Sequence, residues 1–469
     1  VTDELDSVSR QDAGRFPFLK RARRRLVELI GPEASLRGQL IRGAGGSLVL
    51  KVTDAALGLA VSLVLARALK PEGLGIYSFA LSVVGLLGVP VMMGLPSLVV
   101  REVARYHVAG EWALLRGVLT RAAQVMVVLS AVIGPIAAAV VWARSDQIDP
   151  AQSETLMWAL ILLPLLSLNR LREASLLGLG RVFQALAPER LFSPVAMLLA
   201  IGAYMVTGEL GPPEAMALNC MATTLVFLLG ARFLARSVPS EVRGTRPKYD
   251  NGVWTRSLIP LSLLAGLNVI VSQTDLFMLG LLSTKADVGL YRVAFSGAAL
   301  VLFFYAALNM VLMPHFARLY NAGDMERLQR LITTATRSVF ASALPIAGAF
   351  VLFGGGILEL VYGSAYRPAY LTLAILSGAQ LFNVFTGSVY DALNMSGHER
   401  DTMKGVVLSA AANVVLNWLL IPHYGSTGAA IATSMSILLV NMSLVRMLWV
   451  KTSLWSPAFG RTLVSGRTR

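Results

Sequence analysis

Residues 46–98 read GSLVLKVTDAALGLAVSLVLARALKPEGLGIYSFALSVVGLLGVPVMMGLPSL. Two apolar runs, 46–68 and 74–98, flank a break at Ala68 to Gly73 that holds a lysine, a proline, a glutamate and a glycine. Each run is long enough to cross ~30 Å of hydrocarbon at ~1.5 Å per helical residue. The stretch therefore predicts a helical hairpin inside lipid. Runs of the same kind recur at 117–143, 153–176, 188–207, 215–237, 257–282, 288–312, 331–353, 370–393, 403–421 and 428–450. The sequence thus predicts an all-α polytopic membrane protein of twelve spans. Composition agrees, because 55% hydrophobic and 14% charged residues in a chain of 469 are too apolar for a water-soluble fold.

Basic residues set the expected orientation. Loops and span ends on the side of the N-terminus carry 32 lysines and arginines, and the other side carries five: Arg67, Lys70, Arg144, Lys285 and Arg367. Both termini are therefore expected in the cytoplasm, with the protein integral to the plasma (inner) membrane. The net charge of +14 is a consequence of this topology and forms no groove with interleaved aromatics, so no nucleic acid is expected as a partner. The basic run Lys20, Arg21, Arg23, Arg24 and Arg25, flanked by Phe16, Phe18 and Leu19, suits either an interfacial segment on anionic lipid or a disordered topogenic tail.

The chain is written twice. Leu69 to Tyr77, L-K-P-E-G-L-G-I-Y, matches Leu282 to Tyr291, L-S-T-K-A-D-V-G-L-Y, pairing Gly75 with Gly289 and Tyr77 with Tyr291. Ala104, Arg105, Ala109, Gly110 and Glu111 match Ala317, Arg318, Ala322, Gly323 and Asp324 at nearly the same offset. An even number of spans separates the copies, so the repeat is parallel, and such repeats place binding at their interface. The expected organisation is a basic cytoplasmic segment 1–42, a six-helix lobe 43–237, a cytoplasmic linker 238–256, a second six-helix lobe 257–450 and a cytoplasmic tail 451–469.

An ionisable residue within a span costs roughly 2.5 to 3.5 kcal/mol on insertion scales and marks function by default. On span 1, Lys51 and Asp54 share a polar face, where they either pair with each other or line a cavity. On span 7, Asn268 and Asp275 share a face with Ser272, and Arg292 on span 8 falls at similar depth; Asp275 and Arg292 form either a static pair or a gate. On span 4, Arg170 and Glu173 lie on adjacent faces, whereas Arg172 points elsewhere and is expected to snorkel to the interface. Arg121 and Arg337 begin spans 3 and 9, where they serve either as ordinary topogenic charges or as the first contact for a phosphate. Lys51, Arg170, Arg292, Arg121 and Arg337 together make a candidate cationic lumen, and guanidinium suits diphosphate bidentately. Asp54, Asp275, Asp391 and Glu173 are the candidates for coupling or gating. Asn268, Gln380, Asn383, Asn413 and Asn417 are the candidate polar lining, with interhelical glue as the alternative.

Enzyme patterns are not found. The sequence has no Walker A pattern, no H-E-x-x-H and no G-x-S-x-G, its four histidines are scattered, and its one cysteine, Cys220, forbids an internal disulfide. No catalytic residue, metal ligand or cofactor is expected, and coupling to a proton or sodium ion stays open.

Four segments resemble the polysaccharide-transporter branch of the multidrug/oligosaccharidyl-lipid/polysaccharide (MOP) exporter superfamily, the Wzx-like flippases. Leu65 to Tyr77, L-A-R-A-L-K-P-E-G-L-G-I-Y, resembles the first hairpin, with lysine at position 70 where glycine is usual. Asp275 followed by Gly289, Tyr291 and Pro314 is similar to the pattern of helices 7 and 8, and Leu360 to Tyr370, L-V-Y-G-S-A-Y-R-P-A-Y, to the loop before helix 10. Asn413 and Asn417 through Pro422, Gly425, Gly428 and Ala429 resemble the helix 11 to 12 turn. The resemblance implies a V-shaped pair of six-helix bundles that moves polyprenyl-diphosphate oligosaccharides to the outer leaflet by alternating access, for polysaccharide biosynthesis. It also implies membrane lipids, glycan polymerases and glycosyltransferases as partners. A MATE-like cation-coupled exporter of small molecules, a lipid II-type flippase and a membrane-embedded glycan polymerase or glycosyltransferase are the competing readings.

Overall fold

The computed structural model describes residues 36–206 and 208–459, with side chains from Val52 onward except at 260, 264, 268, 310, 311 and 314. The chain divides at Val52 into a short N-terminal unit, whose described part is the helical stretch 36–52, and a body from Thr53 on. Described residues form helices and turns, with no strand among them. In order these are α1 (Leu36–Met92), α2 (Leu95–Ala109), α3 (Trp112–Ala143), α4 (Pro150–Gly178), α5 (Val182–Ala187), a π-helical turn (Pro188–Phe192), α6 (Ser193–Met205), α7 (Pro212–Ser237) and the short α8 (Ser240–Gly244). The second half has α9 (Asn251–Leu282), α10 (Lys285–Ala298), α11 (Phe303–Asn321), α12 (Met325–Tyr362), α13 (Tyr370–Thr386), α14 (Val389–Met395) and α15 (Glu399–Thr452).

Ten helices among the described residues are long and apolar enough to cross a membrane. Two of the ten are single helices with a non-helical residue inside. The stretch Val52–Met92 turns at Lys70, where φ is 58° and ψ 176°, and α15 turns at Gly425, where φ is 51°. Proline follows Lys70 directly, so the helical hydrogen-bond ladder fails where the sequence predicts a hairpin. Large apolar side chains such as Ile136, Leu352 and Leu360 are more than half exposed, which suits a surface facing acyl chains.

Equivalent helices carry each half. α4 packs on α2, α3 and α7, and its repeat counterpart α13 packs on α10, α12 and α15. The halves meet where the two hairpins cross. A Cβ at Gly75 would stand 1.8 Å from the carbonyl oxygen of Lys285, and one at Gly289 would stand 2.0 Å from that of Pro71. No other residue permits this approach. Each hairpin then grips a loop of the opposite half. Arg67 donates to the carbonyls of Val361 (2.8 Å) and Leu360 (3.1 Å), and Tyr366 donates to that of Ala66 at 2.9 Å. Lys285 pairs with Asp149 at 2.9 Å, and its hydrogen bond holds that carboxyl below the usual carboxylate range. A carboxyl depressed in the folded chain contributes stability above its ordinary pKa and loses it as pH falls, so this clasp is formed at neutral pH.

Opposite the hairpins, each repeat ends in an extended segment tied to its third helix. Arg116 on α3 donates to the carbonyls of Arg243 (2.8 Å) and Thr245 (2.7 Å). Gln329 on α12, 213 residues later, donates to the carbonyl of Trp455 (2.6 Å) and accepts from the Trp455 amide (2.8 Å). Residues 454–459, within the expected cytoplasmic tail, are thus built into the second half, with Ser456 and Ala458 buried.

Lys70 occupies a backbone region that is essentially reserved for glycine and costs other residues about 1–3 kcal/mol. Lys70→Gly is expected to raise stability by about 1 kcal/mol after the entropy cost of glycine is subtracted. Thermal unfolding in detergent checks this; a midpoint no higher than that of the parent chain rules it out.

Candidate functional site

The most completely satisfied buried charge is Asp275 on α9, which is 6% exposed. Four neutral donors surround its carboxylate. Asn413 and Asn417 sit one turn apart on the first part of α15, so both amides point the same way. Asn417 donates to Oδ1 at 2.7 Å and Asn413 at 3.2 Å. The turn at Gly425 folds the rest of α15 back, which brings the Thr433 hydroxyl to Oδ2 at 2.7 Å. Tyr291 on α10 completes the set, donating to Oδ2 at 2.6 Å. Asp287 fixes that turn, accepting from the amide of Ser426 at 3.3 Å and from the hydroxyls of Ser283 and Thr284 at 2.7 Å each. Asn417 is fully buried, and its Oδ1 has no hydrogen-bond partner.

The static pair considered for Asp275 and Arg292 does not form. Arg292 appears in none of the ion pairs among the described residues, and its electrostatic neighbours are Tyr77 and Tyr362. The reason is rotational: Tyr291 and Arg292 are adjacent and point ~100° apart, so α10 turns its tyrosine to the acid and its arginine to the junction of the halves. Arg292 lies one turn beyond Gly289, just inside the closure made by the hairpins.

The first half keeps part of the same arrangement. Tyr77 and Asn219, each 214 residues before Tyr291 and Thr433, hydrogen-bond at 2.9 Å, as Tyr291 and Thr433 do at 3.1 Å. The equivalent of Asp275, however, is Val61, and those of Asn413 and Asn417 are Leu199 and Ala203. The acid belongs to one repeat alone.

Other expected residues are dispersed. Arg170 has a side chain 62% exposed and pairs with Glu173 at 3.0 Å. Arg172, expected at the interface, is instead the buried one at 2%, packed against Gly230 and 3.4 Å from Glu189. The face of α4 that meets α7 decides between them, and the sequence does not mark it. Asp54 pairs with Arg190 at 3.7 Å. The side chains of Lys51 and Asn268 lie outside the described residues. Asp391 accepts from Asn309 at 2.8 Å. Gln380 and Asn383 bind Asn441 through a chain of amides at 3.4 and 3.2 Å, which ties α13 to α15. The expected polar lining therefore divides into separate networks. Arg337 donates to the carbonyl of Ala458 at 2.9 Å, holding the segment after α15, and Arg121 stands at a cavity of about 240 Å³ between α2, α3 and α9.

Sequence reading missed Glu102, which is fully buried and held by Arg101 (2.9 Å) and Arg105 (2.7 Å). Its signal is R-E-V-A-R from Arg101 to Arg105, one acid between two bases on a helix. It also missed Asn169, whose amide nitrogen and oxygen are both buried without partners. Among the described residues no cluster of three or more histidine, cysteine, aspartate or glutamate side chains is placed to hold a metal ion.

An all-helical bundle with duplicated halves and an uncharged-donor pocket around one buried acid defines an integral membrane protein of the MOP transporter fold. The fold is similar to a multidrug resistance MATE transporter in an inward-facing conformation (TM-score 0.67, 14% identity, 87% of this chain and 99% of that one). It is also similar to the lipid II flippase MurJ in an inward closed conformation (TM-score 0.66, 13% identity, 85% of this chain and 86% of that one). A model of the polysaccharide biosynthesis protein family matches residues 64–371, and the chain belongs to that family. Two relatives from Haloferax volcanii are the probable flippase AglR, 32% identical over 180 residues (38% of each chain), and the probable low-salt glycan biosynthesis flippase Agl15, 26% identical over 198 residues (41% of each). The chain thus spans about two fifths of the length of these curated relatives.

Asp275→Ala would remove the acceptor of four hydrogen bonds, with Asn417, Thr433 and Tyr291 each keeping one other partner, whereas Asp391→Ala removes only the acceptor of the Asn309 amide. With a lost hydrogen bond costing about 0.5–1.5 kcal/mol, the further bonds lost at Asp275 should make Asp275→Ala less stable than Asp391→Ala by about 2 kcal/mol. Equal unfolding midpoints for the two variants in the same detergent would contradict the cluster.

Proposed function

We propose that this chain is a flippase that carries a polyprenyl-diphosphate-linked oligosaccharide from the cytoplasmic to the outer leaflet, without enzymatic chemistry, for polysaccharide biosynthesis. The observation that carries the reading is Arg292, an arginine beside Tyr77 and Tyr362 at the junction of the halves with no carboxylate paired to it among the described residues. A cation unpaired at such depth is costly, and an anionic substrate relieves that cost. The family and the names of the Haloferax relatives support the choice of a glycolipid. A diphosphate and its sugars cannot cross hydrocarbon unaided, because each stripped polar group costs several kcal/mol.

In this reading the hairpin end is the outer end, both termini are cytoplasmic, and the turns at Lys70 and Gly425 bring the count to twelve spans in two six-helix lobes in the inner membrane. In this reading the contact of Gly75 with Gly289 and the two reciprocal grips close the outer end, and Arg292 takes its substrate from the cytoplasmic side. Binding of the diphosphate neutralises Arg292, and rocking of the lobes about the hairpin contact opens the outer side. The polyprenyl chain stays in lipid. Glycosyltransferases supply the substrate, and a polymerase receives it.

Asp275 is the coupling group. A proton or a sodium ion at its carboxylate competes with the four donors, and the partnerless Oδ1 of Asn417 is an oxygen already available to a cation. Either ion would loosen the grip of α15 on α10, the helix that carries Arg292. A MATE-like exporter is the second reading, favoured by the same buried acid; there Asp275 and the cation gradient alone would control transport and Arg292 would be dispensable.

The test is flipping of a defined polyprenyl-diphosphate oligosaccharide in liposomes. Arg292→Ala is expected to lower the rate at least tenfold, and Asp275→Asn to abolish its dependence on a proton or sodium gradient. Flipping that survives Arg292→Ala at the parental rate, with normal protein levels, sinks the proposal.

A further inference from the structure

Near the hairpin end of α12 the sequence runs Phe353, Gly354, Gly355, Gly356. Apart from proline, glycine is the poorest helix former, so three in succession inside a span require a reason. Two are explained by Tyr370 of α13: a Cβ at Gly354 would stand 3.1 Å from its ring, and one at Gly355 would stand 3.8 Å from the Tyr370 side chain. Gly356 has nothing within 4 Å. The open space over it is the floor of a cleft of about 530 Å³, whose walls include Phe353, Glu359, Arg367 and Tyr370.

The walls carry a particular chemistry. The Tyr370 hydroxyl donates to the carbonyl of Val351 at 2.7 Å, which fixes the ring along α12 while 38% of the residue stays exposed. Glu359 and Arg367 lie 3.7 Å apart with side chains 47% and 73% exposed, so both keep hydrogen-bonding capacity beyond their own pair. A phosphate would meet the carboxylate and an ammonium would meet the guanidinium. A neutral sugar ring uses both, its hydroxyls donating to Glu359 and accepting from Arg367, with its C–H face against the fixed tyrosine ring. Beside the cleft, Leu352 and Phe353 are 72% and 67% exposed, an apolar track for a lipid chain.

We propose that this cleft binds a hexopyranose unit of a glycolipid in the leaflet at the hairpin end, with the lipid chain along Leu352 and Phe353. The identification of that glycolipid with the transported substrate rests on the flippase reading; the binding itself does not. The site is distinct from Arg292, whose neighbours Tyr77 and Tyr362 are not part of the cleft wall.

The full chain in phosphatidylcholine nanodiscs, with empty nanodiscs as baseline, is examined by saturation-transfer NMR with octyl β-maltoside below its micellar concentration, free maltose and octyl phosphocholine. Saturation is expected at the sugar ring protons, with octyl maltoside bound at least tenfold more tightly than maltose. Gly356→Leu, which fills the floor, and Glu359→Gln should each weaken binding at least fivefold. Gly356→Ala places one methyl in open space and improves the helix, so it serves as the folded variant and should show a smaller, measurable loss. Parental binding by Gly356→Leu, or octyl phosphocholine bound as tightly as octyl maltoside, overturns the proposal. Equal binding of maltose and octyl maltoside overturns the glycolipid assignment in favour of a free-saccharide site. Arg292→Ala should bind the maltoside normally while flipping at least tenfold more slowly; a parent chain that binds but does not flip refutes the flippase reading alone, and a parent chain that flips but does not bind refutes this inference alone.

Discussion

The two halves of the body depend on a contact between backbones. At Gly75 and Gly289 each hairpin lays its chain against a carbonyl of the other, at a separation that leaves no room for a side chain. In lipid there is little hydrophobic drive to bring helices together, so close van der Waals approach through small residues and interhelical hydrogen bonds must do it. Everything at the hairpin end is arranged around that point. Arg67 and Tyr366 bind carbonyls across it, and the Lys285–Asp149 pair closes the other flank. These partners are either main-chain atoms or groups outside the hydrocarbon, which lets the contact break without stranding a charge in lipid.

Duplication explains much of the architecture, and departures from it locate the chemistry. The tyrosine pair at 77 and 291, the anchors at 116 and 329 and the central helices α4 and α13 are repeated in both halves. Asp275 has no counterpart in the first half, where valine takes its place. Arg292 likewise replaces a serine, Ser78. A buried acid in one half and an arginine at the junction make the halves unequal.

Polar groups inside the bundle fall into two kinds. Asn383, Gln380 and Asn441 bind one another and tie α13 to α15, and Glu102 pairs with its flanking arginines within α2. The Oδ1 of Asn417 and the amide of Asn169 are left without partners, and Arg292 has no ion pair among the described residues. Completed networks make the core specific; incomplete ones are where a ligand or water gains the most by arriving.

The sequence by itself determined that the chain lives in lipid, where its hairpins fall, that it is duplicated and which residues are costly to bury. Run length, the prolines and glycines at 71, 73 and 425, and the spacing of Asn413 and Asn417 are local properties, and the helical repeat converts them directly into structure. Tertiary structure alone decided which costly residues meet. Arg172 rather than Arg170 is buried, Asp275 takes amides and hydroxyls in place of Arg292, and Arg337 binds the segment after α15. Each of those outcomes depends on how far a helix is rotated about its own axis. That rotation is set by packing against neighbours hundreds of residues away, and no periodicity within a single span encodes it.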